Sequence, residues 1–218
     1  MKRFLILILA GLVLTGCELQ PNRPNIFENP VCKPPCWQNI TPGVTTKAEA
    51  LEILSNSEVV EQRISDLHRP IGRFDNEIGF TMYKGDNLFA GSILILNDRV
   101  SLIGFEYKLN ITLRRAMELF GAPQSILVVR AGEFDAITLL NPPKGIVFGY
   151  RFHMDESSKI SPDDEIDYLV FFDPNQYELA LDSGFFSYAE MSADIALKSM
   201  RPWEGYGSVE QYIAPLAP

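Results

Sequence analysis

The chain has 218 residues, with 28 acidic side chains against 19 basic ones for a formal net charge of −9; 46% of residues are hydrophobic and 22% charged. That balance excludes a disordered acidic tail and a collagen-like chain, and it suits a globular protein able to bury a core. Clustered Lys and Arg, which neutralise phosphates, are lacking, so nucleic acid is not an expected partner.

Lys2 and Arg3 precede an apolar run of eleven residues, Phe4 to Leu14. This has the form of a signal-peptide h-region and falls short of the roughly 17–25 residues that span a bilayer. Leu14-Thr15-Gly16-Cys17 follows and resembles the bacterial lipobox, in which diacylglycerol is attached to the cysteine thiol and the chain is cut before it. The resemblance implies a signal peptide over residues 1–16, lipidation of Cys17, and a mature chain of 218 − 16 = 202 residues. An ordinary secretory signal with a cysteine near its cut is one alternative reading, and a retained membrane anchor, disfavoured by the short apolar run, is another. Loss of Lys2 and Arg3 leaves 17 basic side chains against 28 acidic ones, a charge of −11. The acyl chains, at about 0.8 kcal/mol per buried CH₂, are then expected to hold the protein to the membrane. The expected location is extracytoplasmic: the outer face of the cell membrane, or the outer membrane in a two-membrane cell.

Residues 18–31 carry three prolines and three asparagines without hydrophobic periodicity, so residues 17–31 read as lipidated cysteine and flexible tether. Cys32-Lys33-Pro34-Pro35-Cys36-Trp37 comes next. With Cys17 lipidated, two cysteines remain in an exported chain, which predicts a structural disulfide between Cys32 and Cys36. Three intervening residues do not match a thioredoxin-like motif, and the isolated His68 and His153 do not complete a zinc site. Trp37 reads as a plug over this staple, with a ligand-stacking platform as the alternative.

The chain then repeats. Thr46 to Leu54 aligns with Thr112 to Phe120 at an offset of 66, each opening on a threonine N-cap followed by apolar residues at helical spacing. Thr46 with Glu49 completes a capping box, whereas Arg115 stands in the second copy; Gly121-Ala122-Pro123 ends the second helix. Strands are predicted over 78–83, 92–96, 100–107, 125–129, 136–140, 146–152, 168–172 and 177–181. Tight turns such as Asn97-Asp98 make neighbours antiparallel. The expected fold is α+β, with a helix-plus-meander unit over 32–108 and another over 109–186, helices on one sheet face. A polar connector over 155–167 interrupts the second meander. Residues 187–218 read as a C-terminal helical tail packed on the core, opened by the capping box Ser187 to Glu190.

Ile40-Thr41-Pro42-Gly43-Val44-Thr45 and Leu119-Phe120-Gly121-Ala122-Pro123 resemble the Ile-x-x-Gly-Met-Thr opening and Leu-Gly-x-Pro closing of a known lipoprotein pattern. It belongs to the small lipoprotein of the outer-membrane β-barrel assembly machine and to β-lactamase-inhibitor-like folds. The resemblance covers about 15 residues per copy. It implies a fold of paired helix-plus-meander units and carries over no activity or contact residue. The Pro35-Cys36-Trp37 to Gly43 stretch is also similar to exported lipoproteins of unknown function.

No nucleophile elbow, phosphate-binding loop or zinc helix occurs, so no catalytic residue and no cofactor is assigned. Asp163, Asp164, Glu165 and Asp167, with Asp155 and Glu156 upstream, form the one acidic cluster that invites a Ca²⁺ reading, set against a solvated polar loop. The expectation is a non-enzymatic lipoprotein that binds another envelope protein. The alternative is a small-ligand or glycan-binding lipoprotein whose Trp37, Trp203 and Tyr206 line an aromatic pocket.

Overall fold

The computed structural model describes residue 27 and residues 30–68, 70–84, 87–106, 109–131, 134–153, 158–183 and 192–213. Cys17, the signal segment, Asp155, Glu156 and the Ser187 capping box lie outside the described residues.

Two helices open the two halves of the fold. Helix α1 (Lys47–Ser55) starts on a complete capping box: Glu49 N–H donates to Thr46 Oγ1, and Thr46 N–H donates to Glu49 Oε2 at 2.8 Å. Helix α2 (Leu113–Phe120) has the threonine cap without the return bond and ends at Gly121, whose φ of 94° suits glycine. Four strands follow α1: β1 (Val60–Leu67), β2 (Asn76–Lys84), β3 (Asn87–Leu96) and β4 (Arg99–Glu106). After α2 come β5 (Ser125–Ala131), β6 (Phe134–Asn141), β7 (Ile146–Phe152), the two-residue β8 (Lys159–Ile160) and β9 (Tyr168–Phe172). Helices α3 (Tyr177–Leu181) and α4 (Ala193–Ser199), then the short strands β10 (Arg201–Pro202) and β11 (Gly207–Ser208), complete the chain.

One antiparallel sheet runs β1-β2-β3-β4-β9-β7-β6-β5-β10, while β8 and β11 pair separately. The two meanders meet through β4 and β9, where Gly104 lies opposite Val170, its own counterpart at offset 66. The pairs Leu102–Phe172 and Glu106–Tyr168 flank it symmetrically, so a pseudo-twofold axis passes through the centre of the sheet. Backbone bonds repeat at the same offset. Lys47 N–H donates to the Asp98 carbonyl and Leu113 N–H to that of Asp164; Val100 N–H donates to Thr45 and Ile166 N–H to Ile111. Even the bridges Thr46–Arg99 and Thr112–Glu165 obey it. Bonds that fix how each helix meets its fourth strand recur with one spacing, which is the geometry of an internal duplication.

Both faces of the sheet carry packed side chains, though the first half is partly open on one of them. Beneath α1 and α2, Phe105 and its counterpart Phe171 stand with ring centroids 6.0 Å apart across the axis. Trp37, Phe27 and Phe120 close around them. On the other face α3 and α4 cover Leu94, Leu102, Leu140, Val147, Val170 and Phe172. The helices that open the two units thus share one face, as expected, and the later helices α3 and α4 lie on the other. Tyr177 to Leu181 is a helix rather than a strand: the Asp173 carboxylate caps the turn Pro174–Gln176, which runs straight into α3, and Ala180 and Leu181 bury one helical side. Strand β1, absent from the sequence expectation, supplies the first meander with its fourth member. The tether also ends earlier than expected, since Phe27 is 4% exposed and packs on Phe105 at 5.1 Å.

Candidate functional site

Two side-chain rows on the α3–α4 face show how the halves differ. Ser65, Gly79, Ser92 and Gly104 lie side by side across β1 to β4, and the same row continues as Val170, Val147 and Leu140. In the second half these positions are apolar and covered. In the first half they are glycines and serines that form the floor of an open trough of about 480 Å³. Its walls are the rows two residues away, roughly 7 Å on each side: Leu67 and Glu77 on one, Thr81, Ala90 and Glu106 on the other. The floor spans three interstrand spacings, about 15 Å. Missing side chains let a ligand approach the backbone closely, which is the common use of glycine inside a strand.

The electrostatics of the trough come from Glu77 and Glu106. Glu106 is half-buried, and its carboxyl is pushed above the usual carboxylate range by burial, against the pull of Arg151 and with a smaller push from Glu77. Arg63 stands at the outer rim. Gly91, one residue out of phase, faces the other side of the sheet, where the Phe80 ring occupies the space that a Cβ would take. Arrangement of hydroxyls, bare backbone and two carboxylates suits an extended polar segment or a cationic group.

The expected site residues are dispersed. Cys32 and Cys36 are joined by a disulfide. Trp37 is 4% exposed, stacks on Phe80 at 5.3 Å and meets Phe105 edge-on, so it is a core residue and not a binding platform. The cleft of about 40 Å³ that it borders is shared with Phe27, Pro34 and Phe120, not with Trp203 or Tyr206. Trp203 and Tyr206 do come together, edge-on at 5.8 Å, with Trp203 stacked on Tyr212 at 5.7 Å and the Tyr206 hydroxyl on Met117 Sδ at 3.4 Å, but Trp37 is not among them. The three aromatics thus do not line one pocket.

The acidic cluster does not converge either. Asp163 pairs with Arg114 at 3.0 Å. Asp164 Oδ2 accepts from the Tyr150 hydroxyl at 2.6 Å and from Ser161 N–H at 2.8 Å. Asp167 Oδ2 accepts from Arg151 N–H at 2.8 Å, and Glu165 sits exposed on the bridge to Thr112. Three of the four carboxylates are aimed at separate protein donors, and no group of three metal-ligating side chains occurs among the described residues. These bonds fit the solvated polar loop; Asp155 and Glu156 of the same cluster lie outside the described residues. No described helix is long and apolar enough to cross a membrane.

Sequence reasoning missed the trough because its floor exists only through the strand register. The available signal was two glycines within predicted strands, Gly79 and Gly104. No known protein family, curated protein or solved structure matches the chain.

Proposed function

We propose that the chain is an exported, lipid-anchored binding module of a bacterial cell envelope, which holds another envelope protein through the open side of its first unit. The carrying observation is Cys17, placed directly after an eleven-residue apolar run in Leu14-Thr15-Gly16-Cys17. A disulfide between Cys32 and Cys36 supports the same compartment, since such bonds persist where the surroundings are oxidising. The reach of the anchor follows from Phe27. Nine residues, 18–26, separate Cys17 from Phe27, the first core side chain among the described residues, and at full stretch they span about 30 Å. That length lets the folded body turn its trough toward neighbours close to the bilayer surface.

The test is fractionation of cells expressing the chain and its Cys17→Ser variant, followed by mass measurement of the membrane-bound form. The reading expects the wild type in membranes, with a mass that reports cleavage before Cys17 plus acyl chains, and release of the variant. Equal retention of both, or an unmodified N-terminus, would refute it.

A further inference from the structure

The C-terminal segment completes the second unit and leaves the first one open. Arg201 lies opposite Ile126 and Pro202 opposite Ser125, and Trp203 N–H then donates to the Gln124 carbonyl at 3.0 Å. Val209 and Tyr212 are buried beneath β5, and Tyr206 reaches Met117 of α2. An extended Arg-Pro-Trp stretch and the turn behind it thereby fill the hollow between α2 and the outer edge of β5.

Subtracting 66 carries Phe120, Gln124 and Ile126 onto Leu54, Glu58 and Val60. There the first unit has an open hollow of about 400 Å³, lined by Leu54, Asn56, Ser57, Glu58, Val60 and Ile64. Among the described residues β1 ends the sheet on this side, with nothing in the place that β10 takes beside β5. Ile64 stays partly exposed in the hollow, and Leu51 and Ile53 on α1 and Val59 before β1 are also only partly buried. The regular edge is short, because the β1–β2 register shifts between Glu61 and Ser65. It therefore suits a brief extended segment rather than a long strand. Charge selects the segment further: Glu58 is exposed in the hollow, Glu52 is exposed on α1 two residues before Leu54, and no Lys or Arg is among the residues that line the hollow.

We propose that this hollow and the adjoining β1 edge receive an extended segment of another envelope protein carrying a cationic residue, a proline and an aromatic, as β5 receives Arg201-Pro202-Trp203. Backbone groups at a sheet edge supply the binding energy, and the apolar hollow and the glutamates supply the selection. The inference rests on the binding-module reading and names the kind of partner it takes.

The probe is the synthetic peptide Ser199-Met200-Arg201-Pro202-Trp203-Glu204-Gly205, titrated into the detergent-solubilised full-length protein with labelled Ile, Leu and Val methyl groups. The expected result is saturable shifts at Leu54, Val60 and Ile64 with Ile126 unmoved. Affinity should fall at least tenfold in Glu58→Lys and in a peptide carrying Arg201→Glu, and Asn56→Trp should block binding by filling the hollow. Shifts centred on Ile126, no saturable shift, or unchanged affinity in both protein variants would overturn the proposal. Movement of Val60 and Ile64 on concentrating the protein alone would assign the hollow to the tail of a second copy, and would also overturn it. If the peptide fails while the anchored protein still cross-links to an envelope partner elsewhere, this docking mode alone falls. Absence of any such cross-link removes the binding reading itself.

Discussion

Tyr150→Phe separates a structural clasp from a metal site in the loop of residues 161–167. The Tyr150 hydroxyl donates to Asp164 Oδ2 at 2.6 Å, and the same oxygen takes the Ser161 amide, so one carboxylate ties the loop to β7. A hydrogen bond to a charged acceptor contributes about 1.5–3 kcal/mol. Asp164 is only half-buried and can rehydrate, which places the loss near the lower bound, about 1.5 kcal/mol. For a chain of this length that is about 3–6 °C in Tm, read by thermal unfolding at pH 7 with and without calcium. The hydroxyl pKa is raised by burial and then by Asp164. A raised folded-state pKa gives stability that is complete below the unfolded value of about 10 and is lost as pH climbs through the folded value. Wild type should therefore lose stability in strong alkali more steeply than Tyr150→Phe. An unchanged Tm in the variant, or a rise in the wild-type Tm on adding calcium, would refute this account of the loop.

The remaining predictions concern the sheet and the staple. Gly91→Ala forces a methyl into the Phe80 ring, itself 2% exposed, and should cost about 1–3 kcal/mol, whereas Gly79→Ala meets nothing and should be near neutral or slightly stabilising; denaturant titration of both variants decides. Because burial raises the Glu106 pKa, folding disfavours its charged form relative to the unfolded chain. The favourable contribution is present below the unfolded value and disappears as pH rises through the folded one, so Glu106→Gln should raise Tm at pH 7 and change it less near pH 4. Reduction of the Cys32–Cys36 disulfide, whose loop closes over only four positions, should lower stability by about 2 kcal/mol, with Cys32→Ser showing the same loss and no further response to reductant.

Local signals carried much of the fold. Both helices were legible because a threonine cap and a helical apolar face coincide, and the Asn97-Asp98 turn because it adopts the positive φ that those residue types tolerate. The offset of 66 was visible in nine residues of each copy, yet its structural meaning, two meanders fused at β4 and β9, needed the register of Gly104 with Val170. Strand β1 escaped because Val-Glu-Gln-Arg-Ile-Ser-Asp-Leu pairs on one side only and is bulged, which removes the alternation that marks a half-buried strand. Tyr177 to Leu181 is five residues long, too short for period two and period 3.6 to be told apart; the Asp173 cap decided between them. Trp37 was legible as a plug over the Cys-bounded turn, but the residues it packs on, Phe80 and Phe105 from two different strands, are long-range contacts that no local window contains. The trough and the hollow beside α1 both depend on what the tail leaves uncovered, which no local window contains.

The central claim is that a lipid-anchored body meets its partner through the first unit. Photo-reactive side chains placed singly at Ser65, Ser92 and Glu58, and at Lys198 on α4 as the comparison, test it in intact cells. The account predicts a discrete adduct with another envelope protein from the first three positions, its loss when Cys17→Ser removes the anchor, and none from Lys198. Adducts of equal yield at Lys198, or none at any first-unit position, would contradict it.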